Sequence, residues 1–278
     1  RESLHWQFRR GRLIEELMRH GDAPDVIALQ EVDHFQDSFE PDLEKLGYEG
    51  VFVKKPNSKC RTSLDPTLED GCALFWRKDK ARVLKLNTFE YDSVDVNGMV
   101  NSSKSNQVAI LATLQVNGAS PVLVAVSHLI AKKTAAGELQ RAAQVRQLLQ
   151  KVREERAIQQ QDLSVVIAMD MNAAPEMSQI AHYPPEAYPA MLRNGTDVGL
   201  YSVYSRILGG EPPFTTWKRR GVHEAKHTID YIFASAEVQV SGVLLPPEED
   251  SVVAERLPGW NYPSDHVALM ADLRLPNL

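Results

Sequence analysis

Leu163-Ser164-Val165-Val166-Ile167-Ala168-Met169-Asp170-Met171-Asn172-Ala173-Ala174-Pro175 is an uncharged, largely apolar run that ends on a carboxylate and a carboxamide. A short run of this kind, rich in β-branched residues and closed by polar residues and a proline, predicts a buried strand over 163–169. Asp170 and Asn172 are two residues apart, so in an extended chain they face the same way. A carboxylate there can hold or orient a water, and a carboxamide can donate to a phosphoryl oxygen without adding repulsive charge. An Asx turn stopped by Pro175 is the plainer account of the same residues.

The same arrangement recurs outward from this strand. The apolar run from Asp25 ends at Glu31, the run from Val122 ends at His128, and His227-Thr228-Ile229-Asp230-Tyr231-Ile232 places an acid within an apolar strand. Tyr262-Pro263-Ser264-Asp265-His266 precedes the last strand. Each residue alone is as well explained by an exposed strand end or a buried structural histidine. Together they put a hydrolytic group at four strand ends: Glu31, His128, Asp170 with Asn172, and Asp265 with His266. A buried Asp230 needs a partner, and a histidine is the natural one. Magnesium takes oxygen ligands, one or two of them carboxylates. There is no dense His/Cys set suited to zinc, no GxxxxGK[ST] loop and no GxSxG elbow. These residues imply magnesium-dependent phosphoester hydrolysis.

Helical spacing predicts helices over 2–20, 38–46 and 138–156, the last with Leu139, Ala142, Val145, Leu149 and Val152 on its apolar face. Strands are expected over 25–31, 51–54, 72–77, 82–91, 107–116, 122–129, 228–234, 238–245 and 267–275. The segments 57–71 and 181–196 read as long loops. Strands mostly follow strands, which predicts an α/β, four-layer sandwich: two packed mixed β-sheets flanked by helices. No linker is visible, so residues 1–278 are expected to form a single domain. The chain begins at Arg1 rather than Met and is expected to be part of a longer one.

Of the 278 residues, 43% are hydrophobic and 24% charged, the balance of a soluble globular protein. No apolar run is long enough to span a bilayer. The net charge of −6 lacks the broad basic excess of proteins that bind long nucleic acid, and favours a small anionic substrate. Cys60 and Cys72 form no CxxC pair, which points to a reducing compartment. A monomer of the cell interior, cytoplasmic or mitochondrial, with no membrane partner is expected.

Leu29-Gln30-Glu31-Val32, Ser127-His128-Leu129, Asp170-Met171-Asn172, His227-Thr228-Ile229-Asp230-Tyr231 and Ser264-Asp265-His266 resemble, in order and spacing, the endonuclease/exonuclease/phosphatase superfamily. Lys55-Pro56-Asn57-Ser58, Asp70-Gly71-Cys72-Ala73, Thr215-Thr216-Trp217-Lys218 and Leu257-Pro258-Gly259-Trp260 are similar to its nocturnin-like branch, among relatives of the CCR4-type deadenylases. The resemblance implies Glu31 as the main metal ligand, with Asp265 on the metal side through water. Magnesium is the implied ion, with manganese able to replace it. Asp170 would align the attacking water and Asn172 would grip the phosphate. Asp230 would orient His266, and His128 and His266 would stabilise developing charge. Lys55, Lys132, Arg220 and Asn172 would bind a phosphorylated adenine-containing substrate, NADP(H) or poly(A) RNA.

The implied reaction is removal of the 2′-phosphate from NADP(H) to give NAD(H). The alternatives are a 3′–5′ exoribonuclease acting on poly(A) and a non-catalytic scaffold. Three departures bear on that choice. The opening strand, with its Trp-Asn pair, is missing. Leu129-Ile130-Ala131-Lys132 stands where the branch has Leu-Lys-Ala-Arg, losing one charge and a bidentate fork. Met169-Asp170-Met171-Asn172 stands for Gly-Asp-Phe-Asn.

Overall fold

The computed structural model describes residues 5–58, 60, 69–95, 99–159, 163–177, 182–254 and 256–277. The first described helix, α1 (Trp6–Met18), turns Leu13, Ile14, Leu17 and Met18 towards Ile27, Phe39 and Tyr48. It starts later than expected; residues 2–4 lie outside the described residues. Gly21, at φ +89°, reverses the chain into β1 (Val26–Val32). The helix expected over 38–46 is a π-helical turn (Phe35–Phe39) followed by α2 (Glu40–Lys45), which seals Phe35, Phe39 and Leu43.

Four strands follow in succession: β2 (Tyr48–Lys54), β3 (Gly71–Arg77), β4 (Ala81–Val94) and β5 (Val100–Val116). Next come β6 (Val122–His128), α3 (Ala135–Gln159), β7 (Ser164–Asp170) and α4 (Ala187–Asn194). The remainder is β8 (Tyr201–Ser202), α5 (Val203–Leu208), β9 (Thr216–Arg220), β10 (His223–His227), β11 (Asp230–Ala234), β12 (Gln239–Val243), α6 (Glu249–Val253) and β13 (Ala271–Arg274).

These strands form a six-stranded mixed sheet in the order β4-β5-β6-β7-β11-β8, in which only β6 and β7 pair in parallel. That pair needs a crossover, and α3 supplies it. One face of the sheet packs on α3 and α4 through Leu111, Leu123, Val165, Ile167, Val145 and Leu149. The other face meets β3 through Ile110, Leu114, Val124, Leu74 and Trp76. With α1 and α2 outside β1-β3-β2, the expected four layers are present.

Several boundaries differ from expectation for local reasons. The strand expected over 267–275 is confined to β13, because the Val267 amide donates to the Thr215 carbonyl at 2.8 Å and His266 bridges Thr216. The segment read as a loop over 181–196 contains α4. On α3, Leu139 is exposed, whereas Glu138 and Arg141 are buried. The second strand layer is divided into β1-β3-β2 and the antiparallel β12–β13 pair. Between β1 and β13 runs a cavity of 2320 Å³, and Val166, Ala168 and Ile232 on its floor are only half-buried.

Candidate active site

Strand register alone places three candidate residues side by side. His128 pairs with Asp170 across β6 and β7, and Asp170 pairs with Asp230 across β7 and β11. The Thr216–His266 bridge brings His266 to the same rim. There its Nδ1 lies 2.8 Å from Asp230 Oδ2. The Thr215 hydroxyl donates to the same oxygen at 2.5 Å and accepts the amides of Ile229 and Asp230 at 3.0 and 3.1 Å.

Asn172 and Glu31 complete the rim in unusual conformations, at φ +52° and +53°. A glutamate in the left-handed region is strained, and such strain gathers at functional sites. The β1–β3 register breaks between Leu29 and Val32, a bulge that turns Glu31 out of the ladder. Its carboxylate lies 3.9 Å from His128 Nε2. The Asn172 amide donates to Asp170 Oδ1 at 2.8 Å, so the Asx turn weighed from sequence exists and shapes the rim. The Asn172 carboxamide N–H groups reach His128 Nε2 at 2.8 Å and the Leu129 carbonyl at 3.1 Å. Tyr231 fastens the turn by donating to the carbonyls of Ala173 and Thr228 at 2.8 and 2.9 Å.

The two histidines carry opposite charge states. Burial, aided by Lys55 and His266, pushes His128 down to about 3, so its Nε2 is free to accept from Asn172. Its buried Nδ1 has no hydrogen-bond partner among the described residues. Burial also opposes charge on His266, but Asp230, Asp170 and Asp265 outweigh it and push that histidine up to about 10. Burial and the neighbouring Asp230 raise Asp170. For Asp265, burial is outweighed by His266 and Lys218, which hold it below the usual carboxylate range.

The remaining expected residues are placed less simply. Asp265 Oδ2 accepts from Lys218 Nζ at 2.7 Å. Lys55 is buried and donates to Asp70 Oδ2 at 2.6 Å, so its ammonium is already paired. Lys132 is exposed beside the larger cavity. Arg220 ends β9, and its side chain lies outside what the structure describes. Thr215 and Lys218 stand in a string that carries the branch resemblance, but the sequence assigns neither a place in the site. Their signal, a Thr-Thr-Trp-Lys string without apolar alternation, carries no chemistry until the fold brings it to Asp230 and Asp265.

Glu31, His128, Asp170, Asn172, Asp265 and His266 border a second cavity of 340 Å³. Its oxygen donors suit a hard divalent cation. Asp170, Asp230 and His266 offer ligand-type atoms within 4.8 Å of one another. No thiolate competes, since burial pushes the nearby Cys72 thiol up to about 12.

The arrangement defines a class, and the comparisons with known proteins give the same one. The endonuclease/exonuclease/phosphatase family matches residues 2–266, and the chain belongs to that family. Nocturnin of Xenopus laevis is 35% identical over 274 residues, which cover 98% of this chain and 65% of the relative. The human nocturnin catalytic domain with bound sulfate anion has a TM-score of 0.78 at 31% identity, covering 98% of this chain and 87% of that one. The CCR4-Not complex 3′-5′-exoribonuclease subunit Ccr4 of Debaryomyces hansenii is 27% identical over 310 residues, covering 98% of this chain and 36% of the relative. The chain thus spans less than two thirds of the curated relatives it matches. Among the described residues no helix is long and apolar enough to cross a membrane.

Proposed function

We propose that this protein is a divalent-metal-dependent phosphoester hydrolase that removes the 2′-phosphate of NADP(H) to give NAD(H). The observation that carries the reading is the row His128, Asp170, Asp230, His266 at one rim, with the Glu31 carboxylate 3.9 Å from His128 Nε2. The similarity to nocturnins supports this reading, and the human nocturnin catalytic domain is a sulfate-binding relative.

In this reading Glu31 is the principal holder of magnesium or manganese, with Asp265 contributing through water. The cation, when bound, polarises a phosphoryl oxygen. Asp170 orients the attacking water. The Asn172 carboxamide, held by His128 and the Leu129 carbonyl, meets the phosphoryl group. Protonated His266, oriented by Asp230, faces the developing negative charge. His128 is then a positioning residue for Asn172 rather than a cation. Lys132 and Arg220 are left to bind the remaining phosphates, because Lys55 is tied to Asp70. Residues 1–278 act as one catalytic domain.

Poly(A) shortening is the competing reading, kept by the likeness to Ccr4. Phosphate release from NADPH and shortening of a poly(A) oligonucleotide, both with magnesium, separate the two. Release from NADPH with intact RNA is the expected result. RNA shortening without NADPH turnover makes the protein an exoribonuclease. A scaffold would show neither activity.

A further inference from the structure

The wall of the 340 Å³ cavity beside Asn172 is formed by two irregular segments, residues 129–134 and residues 183–187, which contribute Ala131, Lys133, Tyr183 and Pro185 to its lining. Neither belongs to a strand: only the Leu129 amide, which donates to the Asp170 carbonyl at 2.9 Å, continues the β6–β7 ladder. What joins them is a buried ion pair on the first turns of α3. Arg141 is fully buried and Glu138 is 3% exposed. Arg141 Nε and Nη2 donate to Glu138 Oε2 at 3.0 and 2.7 Å. Its Nη1 donates to the carbonyls of Ile130 and Lys132 at 3.0 and 2.8 Å, and Nη2 also reaches the Tyr183 hydroxyl at 3.1 Å. The other oxygen of Glu138 accepts the amides of Glu186 and Ala187 at 2.8 and 2.9 Å, where α4 begins.

Burying an ion pair costs desolvation that a packed apolar pair would avoid, so stability is a weak reason for it. Directional bonding is a better one. The planar guanidinium fork meets a carboxylate and two carbonyls at once, which a single ammonium does less well. Two further contacts hold the same segment: the Ile130 amide donates to Gln144 Oε1 at 3.1 Å, and the Gly137 amide to Thr134 Oγ1 at 3.0 Å. Residues 130–132 lie so close to α3 that a Cβ on Gly137 would stand 2.0 Å from the Lys132 carbonyl oxygen.

We propose that Arg141 and Glu138 form a positioning pair that fixes both walls of the substrate cavity and thereby sets affinity for the phosphorylated substrate. Arg141, without exposed surface, acts through the segments it holds and touches no substrate. The affinity part of this inference rests on the hydrolase reading above; the positioning part does not.

The test uses the double variant Glu138→Gln/Arg141→Met, which leaves no buried charge unpaired, with Gly137→Ala as an uncharged disturbance of the same wall. Amide hydrogen exchange over 129–134 and 183–187 is expected to accelerate about tenfold in both variants, while β6 and β7 stay protected. KM for whichever of NADPH and a poly(A) oligonucleotide the parent protein turns over is expected to rise about tenfold, with kcat within about twofold. Arg141→Lys, which restores the charge without the fork, should recover melting temperature more than KM. Unchanged exchange in a folded variant overturns the proposal, as does a loss of melting temperature with KM unmoved. If the double variant fails to fold, Gly137→Ala decides by the same readings. If the parent protein turns over neither substrate, the hydrolase reading fails by itself, and exchange alone still decides whether the pair positions these walls.

Discussion

In the six-stranded sheet, β6 and β7 have partners on both sides, and Leu123, Ala125, Val165 and Ile167 are sealed beneath α3. In the opposing layer, β1 and β13 are each paired on one side only among the described residues, and Val26, Ala28 and Leu273 remain half-buried. His128, Asp170 and Asp230, expected to stabilise developing charge, to align the water and to orient His266, stand on the closed layer. Glu31, expected to hold the cation, stands on the open one, at a bulge with its side chain 62% exposed. Rigid packing preorganises the first set, as electrostatic stabilisation of a transition state requires. The Glu31 carboxylate, which under the proposed function meets the ion, keeps room to adjust.

The strongest way to break this contrast is chemical. Asp170→Asn keeps the shape of the closed layer and removes its charge, and should lower kcat by about 10²–10³-fold with the melting temperature nearly unchanged. A folded Asp170→Asn protein at full rate would show that the closed rim does not carry the reaction.

Matched core truncations probe the two layers directly. Leu123→Ala, at a position with no exposure, should cost about 3 kcal/mol in urea unfolding.

Acid should weaken the fold, through His227 at the end of β10 and His128 in the closed layer. Burial, followed by Lys133 and Lys218, pushes His227 down to about 4. The unfolded chain takes up that proton near pH 6.5. Between about pH 6.5 and 4 the unfolded state therefore binds more protons, and stability falls as the pH falls, by on the order of 1–2 kcal/mol. His128, pushed down to about 3, adds in the same sense. His266, raised to about 10, acts oppositely: its contribution is full below pH 6.5 and is lost as pH rises towards 10. Urea melts across the acid window should show a shallower loss for His227→Gln; an identical slope would remove His227 from the account.

The smallest effect expected is that of Leu273→Ala, about 1 kcal/mol or less, because the side chain is only partly withdrawn from water. Equal costs for Leu123→Ala and Leu273→Ala would erase the difference between the layers.

How far the sequence could be read follows the same division. β1, β6 and β7 are legible because each is a short apolar run ending in a polar residue, and their register then aligns the strand ends. The β9–β10 hairpin was invisible: Trp217-Lys218-Arg219-Arg220 has no alternation, and Trp217 is instead flanked by the cations of Lys226 and Arg256 at 4.4 and 4.5 Å. α4 was hidden in an apparent loop by its brevity and by Pro189. The face of α3 was misjudged at its start. Glu138 and Arg141 look like solvated charges beside an apolar Leu139, but carbonyls and amides contributed by distant segments satisfy them, and Leu139 is displaced to the surface. Partners far apart in the chain cannot be inferred from spacing, and the same reason kept Thr215 and Lys218 out of view.

The central claim is that Glu31 supports metal-dependent phosphoester hydrolysis. Its most direct test is phosphate release from NADPH, with magnesium and with excess chelator, by the parent protein and by Glu31→Ala. The account predicts release that needs magnesium and falls by at least about 10²-fold in the variant. Release that survives chelation, or that proceeds unchanged in Glu31→Ala, would contradict it.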